Sequence, residues 1–360
     1  MKILLLGDVV ATDASRELFE KEDVMHLFGD TKTLFENCDF SIVNLECALT
    51  DSESGIKKFG PCLKSPIVTA SALKKLGVDC CCISNNHIFD FGKKGAQDTM
   101  RHLHAAGVDY TGFGENYEDA RKNYYIDKNG ERVCIIAVCE KEYSYALEDR
   151  MGARPFDEFD TIEDVRAAKA ECDRVIVLYH GGKELCRYPS PRVYTLCRAL
   201  VRNGADLVIG QHSHCIATYE EYQGGHILHG QGNFHFVMEH SFDGWHSCLA
   251  VEYDSVSNTV SFVPISSGKD GVRLSVGEEK EAILKAFYER NAQLQNGEWR
   301  EGWHAFCLAQ QKWYTACIAK AGREESTERE NAFFAHYLDC QAHTDVWREL
   351  FPTYNMTNEK

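Results

Sequence analysis

The stretch Val78-Asp79-Cys80-Cys81-Cys82-Ile83-Ser84-Asn85-Asn86-His87 passes from a short, mostly apolar segment into four polar residues. A segment of that length, opened by Gly77 and closed by a polar loop, reads as a buried strand. Ahead of it, Ser65–Leu76 begins Ser-Pro and stops before Gly77, the pattern of a capped helix with a glycine stop. Behind it, Gly95–Ala106 ends before Gly107 in the same way. Helix, strand, loop, helix is the repeating unit of an α/β sheet.

Working outward, the unit recurs. Ile3–Leu6 ends in Gly7-Asp8, and Phe40–Val43 ends in Asn44-Leu45-Glu46. Val133–Val138 follows. Val175–Leu178 ends in Tyr179-His180-Gly181-Gly182, and Leu207–Ile209 ends in Gly210-Gln211-His212-Ser213-His214. Pro191–Asn203 reads as a helix stopped by Gly204. These strand candidates are short and rich in Val, Ile and Cys, as expected of strands covered on both faces. After about residue 220 the pattern changes. His226–His229, Ser247–Tyr253 and Thr259–Pro264 read as strands with short connections, expected to be antiparallel. Glu278–Gln295, Glu301–Ala321 and a stretch from Glu324 to Leu350 read as helices. The expected boundary lies near Gly268–Gly277, where strand signals stop.

The chain has 360 residues, 44% hydrophobic and 26% charged, ordinary values for a folded globular protein. That excludes a disordered, collagenous or coiled-coil chain. Its 39 Lys and Arg against 55 Asp and Glu leave a net charge of −16, so no nucleic-acid partner is expected. The apolar run at the N-terminus is too short for a signal sequence, and no segment reaches about eighteen apolar residues. No membrane insertion and a cytoplasmic location are expected. The sixteen cysteines contain no C-x-x-C pair. They are expected to be reduced thiols used as small core residues.

The polar punctuation falls where open α/β sheets collect ligands, at the C-terminal ends of strands. Asp8, Glu46, Asn86, His87, His180, His212 and His214 all stand there. Each alone has a plainer reading: Asp8 as a helix cap, Glu46 as a solvated loop residue, Asn85-Asn86-His87 as a turn, His180 as a structural histidine. Together they suggest an oxygen-and-nitrogen metal site without cysteine, suited to Mn, Fe or Zn. His212 and His214 are the strongest pair, because alternate residues of a loop can turn both imidazoles to one centre.

In order, G-D (7–8), N-L-E (44–46), N-N-H-x-x-D-x-G (85–92), H-G-G-x-E (180–184), G-x-H-x-H (210–214) and G-N-F (232–234) resemble the bacterial capsule-synthesis CapA or PgsA-type polyglutamate-synthesis family. That family belongs to the calcineurin-like metallophosphoesterase superfamily. The resemblance covers residues 1–267 and includes Lys64-Ser65-Pro66 and Arg187-Tyr188-Pro189-Ser190-Pro191; residues 275–360 lie outside it. It implies a four-layer α/β/β/α sandwich over 1–267, followed by a helical C-terminal appendage over 275–360.

The resemblance also implies roles. Asp8 and His214 would bind a first metal. Glu46 would bridge two metals. Asn86, His180 and His212 would complete the second. His87 would lie over the phosphate and donate to the leaving group, with Asp90 orienting its ring, although Asp90 also reads as a cap of the following helix. Where the superfamily carries Asp-x-His, this chain has Val10. One imidazole is missing, so a weak first site, or a single tight ion, is expected. Lys64, Lys183 and Arg187 are candidate cations near the substrate. The implied activity is phosphoester hydrolysis or transfer on a small phosphorylated or polyanionic substrate. The alternatives are a non-hydrolytic part of a capsule assembly system and a degenerate metal-binding scaffold. The aromatic residues of the C-terminal helices, among them Trp303, Tyr314 and Tyr337, read as helix core, with a lid or a homodimer face as the alternative. Capsule-synthesis proteins are the other partners implied.

Overall fold

The computed structural model describes residues 1–352. Fourteen strands form two main sheets: β1 (Lys2–Val9), β2 (Phe40–Leu45), β3 (Cys80–Cys82), β4 (Asp109–Thr111), β5 (Tyr124–Lys128), β6 (Glu131–Cys139), β7 (Arg174–His180), β8 (Leu207–Gln211), β9 (Tyr219–Tyr222), β10 (Gly225–Leu228), β11 (Asn233–His235), β12 (Ser247–Asp254), β13 (Thr259–Ser267) and β14 (Val272–Leu274). The first sheet runs β14-β13-β12-β1-β2-β3-β4, with the short β11 also paired to β1. The second runs β9-β10-β8-β7-β6-β5. β1 to β4 are mutually parallel, as are β6, β7, β8 and β10, while β12 to β14, β5 and β9 are antiparallel to their neighbours.

The period-two alternation of strands sorts the core. Leu4, Leu6, Val43 and Cys81 point to one apolar cluster with helices α1 (Thr69–Leu76) and α2 (Gly92–Ala106). Their sequence neighbours Ile3, Leu5, Ile42, Cys80 and Cys82 point the other way. There they meet Ile135, Ala137, Ile176, Leu178, Leu207 and Ile209 of the second sheet. The opposite face of that sheet, with Ile136, Val138, Val175 and Val177, packs on helices α3 (Glu158–Glu171) and α4 (Pro191–Arg202). Each Val, Leu or Ile so buried contributes roughly 1.5–3 kcal/mol relative to exposure. The result is a mixed α/β fold in which both sheets are covered on both faces, the reason their inner strands lack a polar stripe.

The C-terminal region is helical: α5 (Gly277–Asn296), α6 (Trp299–Lys320), α7 (Glu328–Asp339) and α8 (Gln341–Leu350). Phe287 of α5 joins the cluster between the sheets. Helices α6 to α8 build their own cluster from Trp303, Cys307, Tyr314, Cys317, Tyr337 and Val346, which also receives Cys186.

Some expectations need correction. The strand read at 226–229 is not simply antiparallel: β10 lies parallel to β8 and antiparallel only to β9. The cause is the tight turn Gln223-Gly224, with φ of 48° and 82°, which folds β9 outside β10. Helix α1 starts at Thr69 rather than Ser65, because Lys64–Ser65 pairs with Ala48–Leu49 as a short ladder. The single stretch read from Glu324 breaks at Cys340, whose extended backbone separates α7 from α8. Strand β14 (Val272–Leu274) is absent from the sequence reading; it ends inside the Gly268–Gly277 stretch expected to hold the boundary. All sixteen cysteines are free thiols, and all but Cys38 and Cys62 are buried. Among the described residues, no helix is long and apolar enough to cross a membrane.

Candidate metal centre

The C-terminal ends of β1, β2 and β3 in one sheet, and of β7 and β8 in the other, open on a common edge. Asp8 lies near the end of β1, Glu46 directly follows β2, Asn86 and His87 follow β3, His180 ends β7, and His212 and His214 follow β8. The residues His212 and His214 have φ of 78° and 54°. That left-handed backbone is strained for a side chain of this size, and it turns both imidazoles inward.

Four donor atoms meet at His180. Its Nε2 lies 3.0 Å from Asn86 Oδ1, 3.2 Å from His212 Nδ1 and 3.3 Å from Glu46 Oε1. His212 Nδ1 is 3.9 Å from the same Glu46 oxygen. Ligands about 2.0–2.1 Å from one tetrahedral ion stand about 3.3–3.4 Å apart, so these spacings match a shared cation. Beside them, His214 Nδ1 lies 3.2 Å from Asp8 Oδ2 and 3.8 Å from Glu46 Oε2. The trios Glu46–His180–His212, Asp8–Glu46–His214 and Glu184–His212–His214 each gather donors close enough to hold an ion.

The local chemistry fits a cation. Glu46 is 0% exposed and Asp8 1%. Both Glu46 oxygens and Asp8 Oδ2 are buried without a hydrogen-bond partner. Such groups are costly unless something positive meets them. Burial, helped by the charge of Asp8, pushes the Glu46 carboxyl above its usual range. Burial also works against the Asp8 carboxylate, but the adjacent His214 imidazole, aided by His180 and Asn44, outweighs it and holds that carboxyl low. Burial pushes His180 down to about 4, so its ring is neutral, as a ligand must be. For His214 burial is overcome by the Glu46 and Asp8 carboxylates, which raise it to about 10.

His87 stands next to this group without joining it. Its Nδ1 lies 2.6 Å from Asp90 Oδ2. Asp90 does not cap α2, whose N-cap, Phe91, makes no side-chain bond. Instead it accepts from Lys58 Nζ at 2.6 Å and from the Leu63 backbone N–H at 2.7 Å. Lys58 Nζ is also 3.3 Å from His87 Nδ1.

Sequence reading missed several partners. Asn44 donates to Asp8 Oδ1 at 2.7 Å, and its amide lies 3.2 Å from His180 Nδ1. Glu142 accepts from Asn86 Nδ2 at 3.2 Å and lies 3.9 Å from His212 Nε2. Asn233 Oδ1 is 2.9 Å from His214 Nδ1. Asn44 and Asn233 occupy motifs already quoted, N-L-E and G-N-F, which was their only signal. Lys58 and Glu142 carry none. Of the candidate cations, Lys64 is held by Ser52 O and Glu53, Arg187 pairs with Asp243, and Lys183 lies 3.8 Å from Glu184.

A cleft of about 760 Å³ opens beside the centre, with His87, His214, Phe91 and Trp245 in its wall. On another side, α7 brings His336 within 3.6 Å of Glu142 Oε1, its ring stacked on Tyr143. The C-terminal helices thus touch the shell of the centre.

Comparison with known proteins places the chain in a family. The family model described as "Bacterial capsule synthesis protein PGA_cap" matches residues 2–238. "Capsule biosynthesis protein CapA" of Bacillus anthracis is 27% identical over 245 residues, 66% of this chain and 60% of that protein. "PGA biosynthesis protein CapA" of Bacillus subtilis (strain 168) is 27% identical over 238 residues, 64% of this chain and 62% of that protein. The chain therefore spans about three fifths of the length of these curated relatives. A hypothetical protein from Thermus thermophilus, of known crystal structure, superposes with a TM-score of 0.42 at 15% identity, over 78% of this chain and 100% of that one.

Proposed function

The chain belongs to the bacterial capsule synthesis protein PGA_cap family, and on that footing we propose that it is a metal-dependent phosphoesterase or phosphotransferase serving capsule or poly-γ-glutamate synthesis. The biological setting comes from the names of its relatives. The chemistry rests on one observation: Glu46 Oε1, Asn86 Oδ1, His180 Nε2 and His212 Nδ1, from four separate segments, stand 3.0–3.9 Å apart around His180 and Glu46. We read the fold as a four-layer α/β/β/α sandwich of the metallophosphoesterase type over residues 1–267, with a helical extension from residue 275 to the last helix at Leu350; residues 353–360 of the stretch expected to be helical lie outside the described residues. Its support is the apolar cluster shared by the two sheets, with helix-faced clusters on their outer sides. Sixteen unpaired thiols favour a reducing, cytoplasmic location.

In this reading Asn86, His180 and His212 would hold one divalent ion, Asp8 and His214 would hold or adjoin a second, and Glu46, with one oxygen towards each group, would serve both; Mn, Fe and Zn all suit such donors. Such ions supply Lewis acidity toward a phosphoryl oxygen and lower the pKa of a bound water. The protein's own groups do the rest. Asp90 holds the proton on His87 Nδ1, which leaves Nε2 as the atom that exchanges a proton with the leaving-group oxygen. Lys58 offsets the Asp90 charge. Asn44 and Glu142 fix the orientation of Asp8 and Asn86, as outer partners of ligands do. The cleft wall holds Asp13, Glu184 and Glu239 as well as Arg16 and Lys64, which favours a small phosphorylated substrate over a long polyanion.

The test is a metal-by-substrate screen with aryl phosphates on wild type and His212→Ala. Manganese-stimulated turnover that His212→Ala abolishes is expected. Equal turnover by both proteins would remove the site from the chemistry. Silence with every substrate would favour a non-hydrolytic role in capsule assembly or a metal-binding scaffold.

A further inference from the structure

The motif G-N-F at 232–234 has no role in the reading above, yet the fold is built to bring it to the centre. β11 lies parallel beside β1 in a register that pairs Asp8 with Asn233. Two glycines make that approach feasible. A Cβ on Gly7 would stand 1.9 Å from Gly232 O, and one on Gly232 would stand 2.5 Å from Ser247 O, so no side chain fits at either position. Gly232 also has φ of 85°. Asn233 itself is buried at 5% exposure. Its Nδ2 donates to Trp245 O at 3.1 Å, which aims Oδ1 at His214 Nδ1, 2.9 Å away.

His214 Nδ1 therefore faces three oxygens: Asn233 Oδ1 at 2.9 Å, Asp8 Oδ2 at 3.2 Å and Glu46 Oε2 at 3.8 Å. A ring nitrogen carries at most one proton and can satisfy only one of them. Asp8 Oδ2 and Glu46 Oε2 have no other partner. Three oxygens and one nitrogen gathered from β1, β11 and the loops after β2 and β8 have the composition of a hard-to-borderline divalent cation site. Val10 cannot supply the imidazole that the sequence reading found missing.

We propose that Asn233 Oδ1 is the fourth protein ligand of the first ion, taking the place of that imidazole, so that the protein holds two ions rather than one. The inference rests on the metal-centre reading above. It implies a first site of three oxygens and one nitrogen, a donor set suited to hard-to-borderline cations such as Mn²⁺, beside a second site of two oxygens and two nitrogens.

The test is Mn²⁺ binding to the 360-residue chain, by isothermal titration with metal analysis, and not turnover. Wild type should bind two ions per chain. Loss of an outer-shell partner weakens metal affinity about 10–100-fold, so Asn233→Ala should weaken the first site by about 100-fold or more and leave the second near wild type. Two ions bound by Asn233→Ala with wild-type affinities would overturn the proposal. One ion in wild type would overturn it while leaving the metal centre standing. No ion in wild type would overturn both. Should Asn233→Ala fail to fold, anomalous scattering from Mn²⁺-loaded wild-type crystals decides. A peak within about 2.5 Å of Asn233 Oδ1 supports the proposal, and a first-site peak with that oxygen beyond about 3 Å overturns it.

Discussion

His87 Nδ1 sits 2.6 Å from Asp90 Oδ2, three residues along the same loop, and neither side chain is among the donors that meet at His180. On the proposed function, that pairing would separate proton handling from metal holding. His87→Asn is expected to lower turnover by about 10²–10⁴-fold, the usual worth of a positioned acid or base, while metal content stays near wild type. Rate and metal analysis on the same preparation check this. A His87 variant that sheds its metal would place the ring among the ligands instead.

Asp90 and Lys58 form a buried pair, with side chains 0% and 2% exposed and 2.6 Å between charged atoms. Asp90→Asn leaves the Lys58 ammonium buried without its counter-charge. Breaking such a pair costs about 3–5 kcal/mol. Lys58→Met added to Asp90→Asn removes the stranded charge and should recover much of that loss, since a well-packed apolar replacement is often neutral. Urea unfolding of the two single variants and the double variant measures the coupling. Strictly additive losses would mean that the pair is not coupled in the folded protein.

Glu142 accepts from Asn86 Nδ2, which leaves Asn86 Oδ1 turned towards His180. Glu142→Ala frees the amide to rotate and should weaken metal binding by about 10–100-fold. Glu142→Gln keeps an acceptor and should lose less. Titration with Mn²⁺ distinguishes the two; equal affinity in wild type and both variants would show that Asn86 needs no such anchor.

How far the sequence revealed this arrangement depended on burial. β1, β2, β3, β6, β7 and β8 are covered on both faces, so Ile3–Leu6 or Val133–Val138 stands out as an apolar run, and the polar residue at its end stands out too. Asp8, Asn86 and His212 are legible for that reason. Edge strands lack the run. In β5, Ile126 is buried between exposed Tyr125 and Asp127, and Tyr124–Lys128 looks like a loop. Lys58 is harder still: in Ile56-Lys57-Lys58-Phe59 it has the look of a solvated charge, and only the fold places Asp90 against it. Glu142 sits in a loop without periodicity. The helical end of the chain gave no hint that His336 reaches it, because that contact depends on how α7 packs.

Acid sensitivity should have a source away from the metal centre, in His229. The residue is buried, its Nδ1 lies 3.1 Å from Thr218 Oγ1 and 3.3 Å from Thr218 O, and its Nε2 has no partner. Burial therefore pushes its pKa down to about 3, against about 6.5 in the unfolded chain. Between those values the unfolded chain takes up a proton that the folded protein refuses. Its stabilising effect is thus complete above about pH 6.5, and is lost as the pH falls towards about 3, at about 1.4 kcal/mol per pH unit. His229→Leu removes this titration. Unfolding free energies between about pH 6 and about pH 4, with both proteins stripped of metal, should fall less steeply for the variant, by close to one linked proton. Parallel slopes would show that His229 charges in the folded state at no cost, which its unpartnered, buried Nε2 does not allow.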